Sequence, residues 1–206
     1  MSSLPGYIFF SIIGYLSGSV LYASIIPRYF FHVDPASLSD DKNPGTFNAF
    51  KYAGTKAGIM VIIMEIIKSA LPVFAASLYL DTANSLFSLV IASPVLGHAF
   101  PVFNHFKGGK AIAASFGVLI GLLPNYVPLL MLAIFYILFS AFIIIQPHLH
   151  RTIITFTCFC LTGLFYFKTP SVIFGSVIIS IIVILKHLMK YEKEPASIRL
   201  FFNRNR

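Results

Sequence analysis

Long uninterrupted apolar runs constrain this chain more than any other feature. Leu4 to Pro27 and Ser171 to Leu188 are the clearest, and the charged residues fall almost entirely between such runs. A segment of roughly 20 apolar residues matches the thickness of a bilayer core. In lipid the backbone must satisfy its own hydrogen bonds, which leaves helices or closed barrels. The runs do not alternate polar and apolar residues as barrel strands would, so the reading is helical. Charged residues make up 11% of the 206, against about 25% in an ordinary soluble domain.

Seven spans are expected: Leu4–Pro27, Lys56–Leu80, Ser85–Phe103, Ala111–Leu123, Tyr126–Gln146, Thr152–Phe167 and Ser171–Leu188. The fourth is short for a crossing, and is either tilted or re-entrant. The fold class is therefore all-α integral membrane, a single domain over residues 1–206 with cytoplasmic loops forming the site. Leu4–Pro27 has no basic leader and no clean small-residue cleavage site, and reads as a retained span.

The net charge of +8 does not point to nucleic acid, because few lysines fall together. It tests the topology instead. Seven crossings put the two ends on opposite sides. With the N-terminus outside and the C-terminus cytoplasmic, 13 of the 15 basic residues share the cytoplasmic side. That is the expected bias of membrane proteins. Lys168 lies opposite, and Lys68 lies within a span. Cys158 and Cys160 read as packed thiols, since neither zinc nor disulfide spacing is present. The sequence indicates no metal and no cofactor. The tail after Lys186 reads as a basic surface for anionic membrane lipids.

The polar motifs gather on the same side. Phe106-Lys107-Gly108-Gly109-Lys110 places two cations and two glycines between apolar runs. Such a turn offers backbone N–H groups and ammonium groups to an anion. It lacks the full phosphate-loop pattern, and no strand precedes it. His98, His105 and the two lysines fall within thirteen residues. Upstream, Asn43-Pro44-Gly45 is a turn by composition. Asn48 and Lys51 follow at helical spacing, either as solvated turn chemistry or as one face presenting an amide and a cation.

Glu65 and Lys68 stand three residues apart inside an apolar run. Charges at that depth are costly unless paired or facing a polar cavity, so the pair is either structural or substrate-facing. Ser17-Gly18-Ser19 lets helices approach closely, or lets Ser19 reach a substrate. His187, at the end of the last span, stands apart from the basic tail.

Together these residues resemble the bacterial acyl-phosphate:glycerol-3-phosphate acyltransferases, the PlsY family of small membrane enzymes. Gly97-His98-Ala99-Phe100-Pro101-Val102-Phe103-Asn104-His105-Phe106-Lys107-Gly108-Gly109-Lys110-Ala111 is similar to the family's central motif. Gly18-Ser19, Val33-Asp34 and Lys68 fall where the family has them, and Asn43-Pro44-Gly45-Thr46-Phe47-Asn48 looks like its Asn-x-Gly-x-x-Asn. Lys51 stands where members often carry arginine, and His187 matches the third-motif histidine.

The departures are specific. Asp40-Asp41-Lys42-Asn43 replaces Gly-Ser-Gly-Asn, with one extra residue after Asp34. Asp41 thus takes the place of a serine implied to contact phosphate, and Lys42 is the nearest residue to offset it. Pro35-Ala36 follows Asp34 where the family has an arginine shortly after, and Lys190 replaces an asparagine.

The resemblance implies transfer of an acyl group from acyl phosphate to the 1-hydroxyl of glycerol 3-phosphate, giving lysophosphatidate at the bacterial cytoplasmic membrane. It implies no acyl-enzyme, with a substrate phosphate oxygen helping to remove the hydroxyl proton. His98, His187 and Asn48 are the expected catalytic or orienting groups. Ser19, Lys42, Asn43, Gly45, Lys51, Lys68, Lys107, Gly108, Gly109 and Lys110 are the expected substrate contacts. Two rivals remain open. One is acyl transfer to a different acceptor, motivated by residues 35–42. The other is an anion or lipid transporter, motivated by Glu65 and Lys68, though no internal repeat supports it.

Overall fold

The computed structural model describes residues 4–189 and 196–200. It is mostly helical, as the apolar runs require. Among the described residues, five helical segments are long and apolar enough to cross a membrane: Leu4–Phe31, Thr46–Ser77, Phe87–Asn104, His148–Tyr166 and Pro170–Leu188. Val127–Phe142 is a shorter apolar helix. The chain is a multi-pass membrane protein; five long apolar helices and one shorter one stand, among the described residues, where seven spans were expected.

The differences have local causes. The first span is two helices, α1 (Leu4–Ser19) and α2 (Tyr22–Phe31), broken at Val20-Leu21. After the single turn α3 (Pro35–Leu38), helix α4 runs Thr46–Ser77 and begins ten residues before the expected Lys56. Its first turns are set off by a kink at Gly54, whose φ of +87° is one that side chains rarely adopt. Helix α5 (Phe87–Ala99) ends in a short 3-10 turn, Val102–Asn104.

Helix α6 (Ile112–Ile120) has nine residues, about 13 Å at 1.5 Å per residue, shorter than the expected Ala111–Leu123 span. Helix α7 (Val127–Ile137) loosens into a π turn at Leu138–Phe142 and then becomes strand β1 (Ile143–Gln146), not a helix to Gln146. The run Ile143-Ile144-Ile145 is β-branched throughout, which favours extended backbone. Helices α8 (His148–Tyr166) and α9 (Pro170–Leu188) follow, and β2 (Ser197–Leu200) pairs antiparallel with β1, Arg199 opposite Ile144. Of the basic tail, Lys190, Lys193, Arg204 and Arg206 lie outside the described residues.

Lipid offers no hydrophobic drive to join apolar helices, so close packing of small residues does that work. A Cβ on Gly18 would collide with the Pro94 backbone, and one on Gly97 with the Tyr15 carbonyl. Glycine therefore sets the contact of α1 with α5. The inner core is Tyr7, Ile91, Val95, Phe156, Phe159, Ile179 and Val183. Ile8, Phe9, Ile12 and Leu16 form an exposed stripe on α1, the pattern of a lipid-facing surface. Cys158 and Cys160 are unbonded on α8.

Candidate active site

The break between α1 and α2 leaves backbone groups that must find partners inside an apolar layer. Charged side chains of α4 supply them. Lys68 Nζ donates to the carbonyls of Gly18 at 3.0 Å and Val20 at 2.5 Å. Glu65 Oε1 accepts the Ala23 N–H at 3.2 Å, at the start of α2. Glu65 Oε2 lies 2.6 Å from Lys68 Nζ and 2.8 Å from His98 Nδ1. All three side chains are buried. Glu65 and Lys68 thus pair with each other, with His98 and with the open backbone of the first span. Ser19 is engaged likewise: its hydroxyl donates to the Tyr15 carbonyl and accepts the Val102 N–H.

His98 carries this buried cluster to the glycine turn. Its carbonyl accepts the Gly109 N–H at 3.1 Å. Gly108 and Gly109 are buried, so the turn does not present exposed amides as the sequence led us to expect. The glycines serve close approach instead. A Cβ on Gly109 would meet the His98 imidazole and lie 2.8 Å from the Pro44 carbonyl. One on Gly108 would lie 2.5 Å from the Pro101 ring and 2.6 Å from the Ala99 carbonyl. The end of α5, the glycine turn and the Asn43–Gly45 loop thus meet at one point.

That loop is organised by Asp41. Its Oδ1 accepts the Asn43 N–H at 3.2 Å and the Asn48 carboxamide at 3.0 Å, and its Oδ2 pairs with Lys110 Nζ at 2.9 Å. Asn48 also donates to the Asn43 carbonyl at 2.9 Å. Burial raises the Asp41 pKa, but the bond and charge of Lys110, with the Asn48 and Asn43 donors, outweigh it and hold the carboxyl at about 2. Lys110 therefore offsets Asp41, where Lys42 was the expected residue. Lys42 is exposed, with φ of +44°. Asp34 caps α3 and pairs with Arg28 at 2.6 Å, and that hydrogen bond is the main reason its carboxyl is held below 3.8.

Other expected contacts are dispersed. Lys107 is exposed, and Lys51 lies exposed 4.8 Å from the Tyr52 ring centre while Asn48 is buried, so the two do not present one face. His187 is buried at the end of α9. Its Nδ1 meets the Val183 carbonyl at 2.8 Å, and its Nε2 and the Asn43 Oδ1 have no partner among the described residues.

One residue escaped the sequence reading. His148, the first residue of α8, stacks on His187 with ring centres 5.9 Å apart. Its Nε2 lies 3.1 Å from the Tyr136 hydroxyl and its Nδ1 3.3 Å from Thr152 Oγ1. The i, i+4 pairing of His148 with Thr152 at the start of an apolar helix was the available signal. Lys186 is also buried, 4.5 Å from the Phe100 ring centre.

A family model described as glycerol-3-phosphate acyltransferase matches residues 8–194. The chain belongs to that family. Curated relatives carry the same name. A Legionella pneumophila (strain Corby) protein is 39% identical over 114 residues, covering 55% of this chain and 40% of the relative. One from Hydrogenobaculum sp. is 36% identical, covering 55% of this chain and 57% of the relative. The chain thus spans only part of the length of these relatives. A crystal structure of PlsY, an integral membrane glycerol 3-phosphate acyltransferase in its glycerol 3-phosphate form, superposes with a TM-score of 0.75. It is 25% identical, with 89% of this chain and 88% of that chain covered. A second, in the lysophosphatidic acid form, gives 0.72.

Proposed function

We propose that this family member transfers a fatty acyl group from an acyl phosphate to the 1-hydroxyl of glycerol 3-phosphate, releasing lysophosphatidate and inorganic phosphate. The observation that carries the reading is the meeting of Lys110, Asn48 and the Asn43 N–H on one anionic group, Asp41, beside the His98–Gly109 contact. These donors have the chemistry of a phosphate site. Family membership and the ligand forms of the two PlsY structures support the choice of acceptor and product. The choice of acyl phosphate as donor rests on the motif resemblance.

In this reading the acceptor's hydroxyl oxygen bonds to the acyl carbonyl carbon, and the carbon–oxygen bond to phosphate breaks. The departing phosphate takes the hydroxyl proton. Lys110 and Asn48 hold the phosphate oxygens of glycerol 3-phosphate and so place its 1-hydroxyl for attack. Asn43 Oδ1 and His187 Nε2, buried and unpartnered among the described residues, accept hydroxyl hydrogens and orient the polyol. The structural cluster of Glu65, Lys68 and His98 keeps the glycine turn in place. The site opens to the cytoplasm, with the N-terminus outside and the C-terminus inside, consistent with the clustering of basic residues beside it.

Purified protein given palmitoyl phosphate and glycerol 3-phosphate is expected to form lysophosphatidate, detected by mass spectrometry. Absence of product with acyl phosphates of every chain length would overturn the proposal.

A further inference from the structure

Asp41 presents a carboxylate to the donors just assigned to phosphate. Three of them converge on it from separate segments: Lys110 Nζ at 2.9 Å from the glycine turn, Asn48 Nδ2 at 3.0 Å from α4, and the Asn43 N–H at 3.2 Å from the loop. An ammonium, a carboxamide and a backbone N–H hold a carboxylate oxygen and a phosphate oxygen by the same charge-assisted bonds. The side chains of Asp41 and Lys110 keep 29% and 23% of their surface exposed, so an external anion can reach the pair. The Asp40-Asp41-Lys42 run places the other charged groups of the loop, Asp40 and Lys42, on the exposed side.

We propose that the Asp41 carboxylate is an internal occupant of the acceptor's anion site, competing with substrate phosphate and setting how tightly an anionic acceptor is held. A phosphate arriving at Lys110 and Asn48 meets a like charge within hydrogen-bonding distance of the same donors. It must displace that carboxylate or share the lysine with it. Either path weakens binding relative to an uncharged residue at this position. This inference rests on the assignment of Lys110 and Asn48 to the acceptor phosphate, and it makes Asp41 a specificity-determining residue of this chain.

The test reads binding, not turnover. Titration calorimetry on the purified full-length protein compares inorganic phosphate and glycerol 3-phosphate binding to wild type, Asp41→Asn, Asp41→Ser and Asp41→Glu. Both neutral variants are expected to bind each ligand roughly tenfold more tightly, the scale of one partly screened like-charge contact. Asp41→Glu, which keeps the charge, is expected to gain nothing. Unchanged or weaker binding in folded Asp41→Asn and Asp41→Ser overturns the proposal.

Lys110→Ala checks the site without touching Asp41. It is expected to weaken both ligands, and wild-type affinity there overturns the proposal as well. Tighter phosphate binding in Asp41→Asn, with no lysophosphatidate from any acyl phosphate, would leave this inference standing and sink the acyltransferase reading. Turnover without tightening would do the reverse.

Discussion

Lys68 Nζ donates to the Val20 carbonyl at 2.5 Å, so a cation on α4 closes a gap in the helix that crosses beside it. Its neighbour Glu65 holds the other side of that gap through the Ala23 N–H. A buried ion pair is weak evidence of net stability, yet removing one partner leaves a charge uncompensated, at a cost of about 3–5 kcal/mol. Lys68→Ala should therefore lower the melting temperature in detergent sharply. The double variant Glu65→Gln with Lys68→Met should lose less than the sum of the singles, because no orphan charge remains. Additive losses would show that the two side chains act independently.

Gly109 gives a sharper test of the meeting point between loop and turn. Gly109→Ala puts a methyl 2.8 Å from the Pro44 carbonyl and against the His98 ring, so the Asn43–Gly45 loop must move. Overpacking of this kind costs about 1–3 kcal/mol. Misplacement by about 1 Å can reduce turnover roughly 100-fold. Membrane insertion should survive, since the spans are untouched. Full turnover in this variant would show that the three segments need not meet for activity.

The apolar runs made most of the helices legible, because lipid solvation acts on composition over roughly 20 residues. What escaped was local. The break at Val20-Leu21 carries no proline or glycine of its own; its stability comes from Lys68 and Glu65, which lie more than 40 residues away. Ile143-Ile144-Ile145 is as hydrophobic as any span, and hydropathy does not separate a strand from a helix. Glu65 and Lys68 were conspicuous as charges, but their link to His98 depends on tertiary packing.

The residues proposed to hold phosphate were readable as a cluster of motifs along the chain. The pairing of Lys110 with Asp41 across 69 residues was not, which is why Lys42 looked like the obvious counter-charge.

Asp41 also predicts a pH dependence with a definite sign. Its carboxyl is held at about 2, below the ordinary value of 3.8. A depressed carboxyl stabilises the folded state above its unfolded pKa, and that contribution is lost as pH falls through the folded pKa. Wild type should melt above Asp41→Asn at neutral pH, by a few degrees at most because water screens a pair this exposed. The gap should narrow as pH falls from 3.8 toward 2. A gap that widens in acid would contradict the ion pair with Lys110.

His148 is stacked on His187 at the start of α8. A carbonyl can only accept, so the contact of His187 Nδ1 with the Val183 carbonyl places the hydrogen on Nδ1. Nε2 is then left as an acceptor when the ring is neutral. The stacked His148 ring, itself held by Tyr136 and Thr152, fixes the plane in which that lone pair points. On the proposed mechanism, His148 is thus a positioning residue. His148→Ala should lower kcat by roughly tenfold or more while KM for glycerol 3-phosphate changes little, because orientation and not capture is lost. Tyr136→Phe should shift kcat the same way by less, since the stack survives. His148→Phe retains a ring and should recover part of the loss if stacking matters more than the Tyr136 bond. Wild-type kcat in His148→Ala would show that His187 needs no such support.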